Sequence, residues 1–200
     1  MASWIRDQVR WHAATAAHVL RTAPLWVWLV PALGGAVIWL MNLSPAIRPY
    51  LSKDAAEVSS PLVLAVGVVI AAGLAATRRH VYDKWQTLLG LALFLRELHF
   101  RTTNTGFYIA IVVLLGWASF ARERLEPFIS NRRVVAVIMA MLWTYAVSKT
   151  FDDHWWDAVL RPTGLDHDLF EENLELLGHL MFVALTIVSA FVPTLGSPER

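Results

Sequence analysis

Of 200 residues, 56% are hydrophobic and 16% charged, and the mean hydropathy of +0.49 exceeds what a core of this size can bury. That excludes an ordinary soluble domain and leaves lipid as the solvent for the surplus. The net charge of +1 says little in itself, its distribution along the chain carrying the topology, and no nucleic-acid partner is expected; the absence of cysteine excludes disulfides, thiolate metal sites and cysteine nucleophiles. Any metal must therefore be held by histidine and carboxylate ligands.

Residues 1–22 place Trp4, Ile5, Val9, His12, Ala16, Val19 and Leu20 on one face, with Arg6, Asp7, Arg10 and Arg21 elsewhere. This predicts an amphipathic helix lying on a membrane surface. The transmembrane domain follows over residues 23–193, with a tail at 194–200. Its first span runs from Pro24 to Leu43, too long for the apolar part of a cleaved signal peptide, with Trp26, Trp28 and Trp39 as interfacial anchors and Pro31 set to kink it. After a polar connection from Ser44 to Ser60, the second span, Pro61 to Thr77, carries Gly67, Ala71 and Ala75 at four-residue steps, a small-residue seam for close helix approach.

Arg78-Arg79-His80 and Lys84 make a basic turn before the third span, Trp85 to Phe100, where Gln86, Gly90 and Glu97 share a face and His99 points away from Glu97. Thr102 to Gly106 is a turn that caps the fourth span, Phe107 to Ala121. The fifth, Val134 to Phe151, has a polar edge of Tyr145, Ser148 and Asp152, with Lys149 positioned to pair with Asp152 or Asp153. An acidic and aromatic connection, Asp152 to Asp168, puts Trp155 and Trp156 at headgroup level before the sixth span, Phe170 to Val192.

The expected fold class is thus all-α: a polytopic bundle of about six transmembrane helices plus the amino-terminal interfacial helix, or five spans with one segment re-entrant. With six, the segments on the side of the termini hold eleven of the seventeen Lys and Arg but five of the sixteen Asp and Glu. The positive-inside rule then places both termini in the cytoplasm.

The acidic helix ends fall on the opposite face. In the last span, at about 100° per residue, Asp168, Glu172, Glu175, His179 and Thr186 lie within one narrow stripe. Asp168 followed by Glu171 looks like a capping box, which accounts for the first turn without invoking function. Glu175 and His179 lie two and three turns in, where ionisable groups are costly and mark functional sites.

The expected site is built from Glu172, Glu175 and His179, with Glu97 and with Asp152 or His154 opposite. This mixed carboxylate and imidazole set suits a divalent metal such as Zn, Mn or Fe. Glu175 or Glu172 would be the general base of a catalytic version acting on a lipid-like headgroup. A stripe of this kind also suits a transporter of protons or cationic molecules. Haem is disfavoured because no second histidine lies at matching depth. The chain lacks the H-x-x-x-H pair of ceramidase-like membrane hydrolases, and it has no Walker A loop, dinucleotide fingerprint or G-x-S-x-G elbow.

Two patches, Leu-Phe-Leu-Arg96-Glu97-Leu-His99-Phe and Phe170-Glu-Glu-Asn-Leu-Glu175-Leu-Leu-Gly178, resemble those of small uncharacterised bacterial multi-pass membrane proteins. The resemblance implies a bacterial inner membrane and six or so helices, and brings no activity. A non-catalytic accessory subunit, packed on a protein partner or on a second copy within the lipid, is the alternative class.

Overall fold

The computed structural model describes residues 2–98 and 103–192. His99 and the tail at 194–200 lie outside them. The described residues form nine α-helices and no strand: α1 (Ala2–Thr22), α2 (Val30–Asn42), α3 (Lys53–Arg78), α4 (Val81–Glu97), α5 (Thr103–Phe120), α6 (Arg122–Ile129), α7 (Arg132–Asp152), α8 (Asp157–Leu160) and α9 (His167–Ala190).

Local chemistry sets several boundaries. Pro31 sits in the first turn of α2, immediately after a 3-10 turn at Leu25–Leu29, so its missing N–H breaks no hydrogen bond. The expected mid-span kink is instead a junction between two helix types. Pro61 does not open the second span. Ser52 caps α3 nine residues earlier, its Oγ accepting from the Ala55 N–H at 3.3 Å, and the helix runs through Pro61. Asp166, rather than Asp168, caps α9.

Among the described residues, four stretches are long and apolar enough to cross a membrane: Leu25–Asn42, Lys53–Arg78, Arg132–Asp152 and His167–Ala190. The apolar end of α5 joined to α6 makes a fifth only if two helices bent by 98° count as one broken span. The expectation of about six is therefore met for four, or at most five. The third expected span falls short because α4 has only 17 residues and carries Asp83, Lys84, Arg96 and Glu97. Side chains such as Leu33, Val37 and Leu40 on α2, Leu62, Val66 and Val69 on α3, and Val112 and Val113 on α5 are more than half exposed. A belt this apolar is stable facing lipid, not water.

Helix α9 is the axis of the bundle, packed on α2, α3 and α7 and meeting α4 through side chains. Its register against each neighbour follows from paired contacts. Against α3 it runs parallel: Lys53 meets Asp168, Gly67 meets Phe182, and Arg78 meets Ser189. Against α4 it runs antiparallel: Gln86 meets Ser189, Gly90 meets Phe182, and Glu97 meets His179. Against α7 it is also antiparallel, with Ser148 at Glu171 and Tyr145 at Gly178.

This register gives the helices unequal reach. α9 continues about 18 Å beyond His179, the rise of the twelve residues back to His167, and α7 about 10 Å beyond Tyr145, the rise of the seven residues on to Asp152, whereas α4 ends level with His179. α5 packs back on α4, with Trp85 Nε1 donating to the Leu114 carbonyl at 2.9 Å and Arg96 over the Phe107 ring at 5.8 Å. The described end of α4 thus lies near the middle of α9, with Phe107 of α5 beside it. Short α4 and tall α7 and α9 leave a step between them.

The opposite end is tied by Arg78, which donates to the carbonyls of Ser189 and Val192 at 2.9 and 3.2 Å and faces the buried Asp83 at 3.5 Å. A cation on the last carbonyls of α9 complements its dipole. α1 docks through His12 Nε2, 2.6 Å from Ser119 Oγ on α5, and through Val19 packed beside Val27 and Val135.

Candidate functional site

The step in the bundle is where the polar side chains gather. Arg96, in the last turn of α4, places Nη2 2.6 Å from Glu175 Oε1 on α9. Next to it, Glu97 Oε1 lies 3.7 Å from Nε2 of His179. His179 is fully buried, and neither ring nitrogen has a hydrogen-bond partner among the described residues. Its ring meets Tyr145 of α7 edge-on at 5.6 Å, and the Tyr145 hydroxyl is likewise buried and unbonded. Donor atoms of Glu97, Glu175 and His179 all lie within 4.8 Å of one another.

Tyr145 owes its position to Gly178. A methyl group at residue 178 would stand 2.7 Å from Tyr145 Cε1, so only glycine lets the ring lie against α9. Above these groups, between α7, α9 and the hairpin, opens a cavity of about 260 Å³. Arg96, Tyr145 and Glu175 form its inner wall, and Lys149, Asp152 and Glu171 its outer part, with Phe107 and Tyr108 contributed by α5. Lys149 is paired with Asp152 and lies 3.2 Å from Asp153, as its spacing predicts. Ser148 Oγ donates to the Glu171 carbonyl at 2.9 Å, holding α7 against α9 along the cavity.

The residues expected from the sequence are distributed as follows. Glu97, Glu175 and His179 come together, and Asp152 joins Glu175 as a wall of the same cavity. Glu172 does not join them. It meets Lys53 of α3 at 3.5 Å, as does Asp168. The stripe on α9 is real as a direction, but Glu172 stands above the end of α4 and only α3 remains to answer it. His154 lies in a separate group on the α7–α9 connection, 3.5 Å from Asp157. The sequence reading missed Arg96 as the partner of Glu175 and Tyr145 as the neighbour of His179. The available signal was opposite charge: an arginine and a glutamate, each inside an apolar run, satisfy each other most cheaply across a helix pair.

Chemically, the arrangement offers an internal cation on Glu175, a buried imidazole beside a carboxylate, and an open cavity carrying both signs of charge. A divalent ion could use the donors of Glu97, Glu175 and His179 only by taking the place of the Arg96 guanidinium on Glu175. No protein-family model, no curated protein and no solved structure matches this chain.

Proposed function

We propose that this is a bacterial inner-membrane protein, with both termini cytoplasmic, that receives the charged headgroup of a lipid-like or small cationic molecule in the cavity above the α4–α5 hairpin. The observation that carries the reading is the wall of that cavity: Arg96 and Lys149 set against Asp152, Glu171 and Glu175, with Tyr145 and Phe107 beside them. An open cavity charged in both signs suits a zwitterion. Its anionic part meets Arg96, and its ammonium meets the carboxylates and the aromatic faces. An apolar tail of such a ligand would continue along the lipid-facing side of α5.

In this reading Glu175 is the group that changes partner, releasing Arg96 as the ligand's cation arrives. His179 and Glu97 stand directly behind it as the groups able to take up or return a proton. Glu172 has no part, because Lys53 neutralises it on the far side of the step. Whether the headgroup is moved or cleaved depends on chemistry that these groups permit in either form. A metal-dependent version is the second reading, favoured by the closeness of the Glu97, Glu175 and His179 donors, and it needs Arg96 to withdraw.

The test is calorimetric titration of the detergent-purified protein with a short-chain phosphatidylethanolamine. Saturable binding that disappears in Arg96→Gln and Glu175→Gln, and persists in Lys53→Gln, is the expected result. Equal heats for all four proteins, each still folded at the titration temperature, would refute the proposal. Elemental analysis of the same samples addresses the metal version: stoichiometric Zn, Mn or Fe lost in Glu175→Gln and His179→Ala would support it.

A further inference from the structure

Away from the cavity, the α7–α9 connection brings two imidazoles and a carboxylate to one point. His154 Nδ1 lies 3.5 Å and His167 Nδ1 3.9 Å from the same atom, Asp157 Oδ1. The two rings meet edge-on with centroids 4.2 Å apart. Tetrahedral zinc with bonds of about 2.0–2.1 Å separates its ligand atoms by roughly 3.3 Å, so small rotations bring all three donors into place.

A second feature points the same way. His167 Nε2 lies 2.9 Å from Asp168 Oδ1, which orients the ring, and Nδ1 faces Asp166 Oδ1 at 3.3 Å and Asp157 Oδ1 at 3.9 Å. The other oxygen of Asp157 accepts from Arg161 Nη2 at 3.0 Å. A ligating imidazole backed by a carboxylate, and a ligating carboxylate that is itself hydrogen-bonded, are the supports that metal sites use to orient their ligands. Asp166 and Asp168 also offset the positive amino-terminal end of α9, which would otherwise repel a cation.

We infer that His154, Asp157 and His167 form a divalent-cation site on the outer face, fitted to Zn(II), with water completing a four-coordinate shell. The site is independent of the headgroup reading and shares no residue with the cavity. Two imidazoles and one carboxylate favour zinc over magnesium or calcium, which prefer all-oxygen shells. Bound zinc would pin the connection between α7 and α9 to the first turn of α9. Because the metal holds only the folded arrangement, zinc should also raise the melting temperature.

The experiment is titration of the chelator-treated, detergent-purified full chain with zinc chloride by calorimetry, with Co(II) absorption as a report on coordination. The wild type should bind a single zinc per chain and give the intense visible bands of four-coordinate Co(II). His154→Ala and His167→Ala should lose both signals, and Asp168→Asn should weaken binding about 10- to 100-fold. Glu175→Gln and His179→Ala should bind as wild type does. His154→Gln, which keeps the size of the side chain without the imidazole, gives the same reading if an alanine variant fails to fold. The inference is overturned if the folded wild type takes up no zinc, or if both histidine variants retain it. It is equally overturned if zinc is lost only with Glu175 or His179.

Discussion

Substitution of Gly90 by alanine tests the packing that sets the helix register. The Phe182 ring is fully buried on α9 and sits between two glycines, Gly67 on α3 and Gly90 on α4. A Cβ at residue 90 would stand 2.5 Å from Phe182 Cζ, 2.8 Å from Cε1 and 2.9 Å from Val68 Cγ2. The ring has little room to retreat, because a Cβ at Gly67 would stand 2.7 Å from its Cδ1, so α3 and α4 both press on it. Overpacking of this kind costs about 1–3 kcal/mol. At roughly 2–4 °C per kcal/mol for a chain of this length, Gly90→Ala should melt several degrees below wild type in detergent, followed by far-ultraviolet circular dichroism. The double variant Gly90→Ala with Phe182→Leu should recover part of the loss, since the shorter side chain vacates the space the new methyl needs, and the two effects should be clearly non-additive. Phe182→Ala alone should cost about 3–5 kcal/mol. A Gly90→Ala protein that melts with wild type, or strict additivity in the double variant, would refute the idea that this ring fixes α9 between α3 and α4.

Other consequences are as direct. Removing one partner of the Arg96–Glu175 pair leaves a partly buried charge unanswered, so Arg96→Gln and Glu175→Gln should each lower thermal stability, and the double variant should be less destabilised than the sum of the two. Asn173 donates to the carbonyls of Leu51 and Leu169 at 2.9 and 2.8 Å, so Asn173→Ala should cost about 1–3 kcal/mol by orphaning the buried Leu51 carbonyl, read as a lower melting temperature. His80, in the connection before α4, has its pKa held below the ordinary 6.5 by burial, with Arg78 and Arg124 adding to the effect and Asp83 opposing it. The unfolded chain therefore takes up this proton first. Stability from His80 is complete above about pH 6.5 and declines as the pH falls below it, and His80→Asn should flatten that part of a melting-temperature profile against pH.

The apolar runs, their lengths and their capping chemistry are local properties, and they made most helices legible from the residues alone: α7 and α9 lie within three residues of the expected fifth and sixth spans. Periodicity likewise placed Glu175 and His179 on one face, and the small residues at 67 and 71 on a seam. What periodicity lacks is height. Direction around α9 is a matter of 100° steps, but which neighbour stands at each level depends on how far α4 and α5 extend before they turn. That is decided by packing of Phe182 against Gly67 and Gly90 and by Arg78 on the end of α9. Height, together with the roughly 60° between them in projection, gives Glu172 and Glu175 different partners. The partner of Glu175, the glycine that admits Tyr145 and the convergence of His154 with His167 are contacts between residues distant in the chain, and only the tertiary arrangement brings them together.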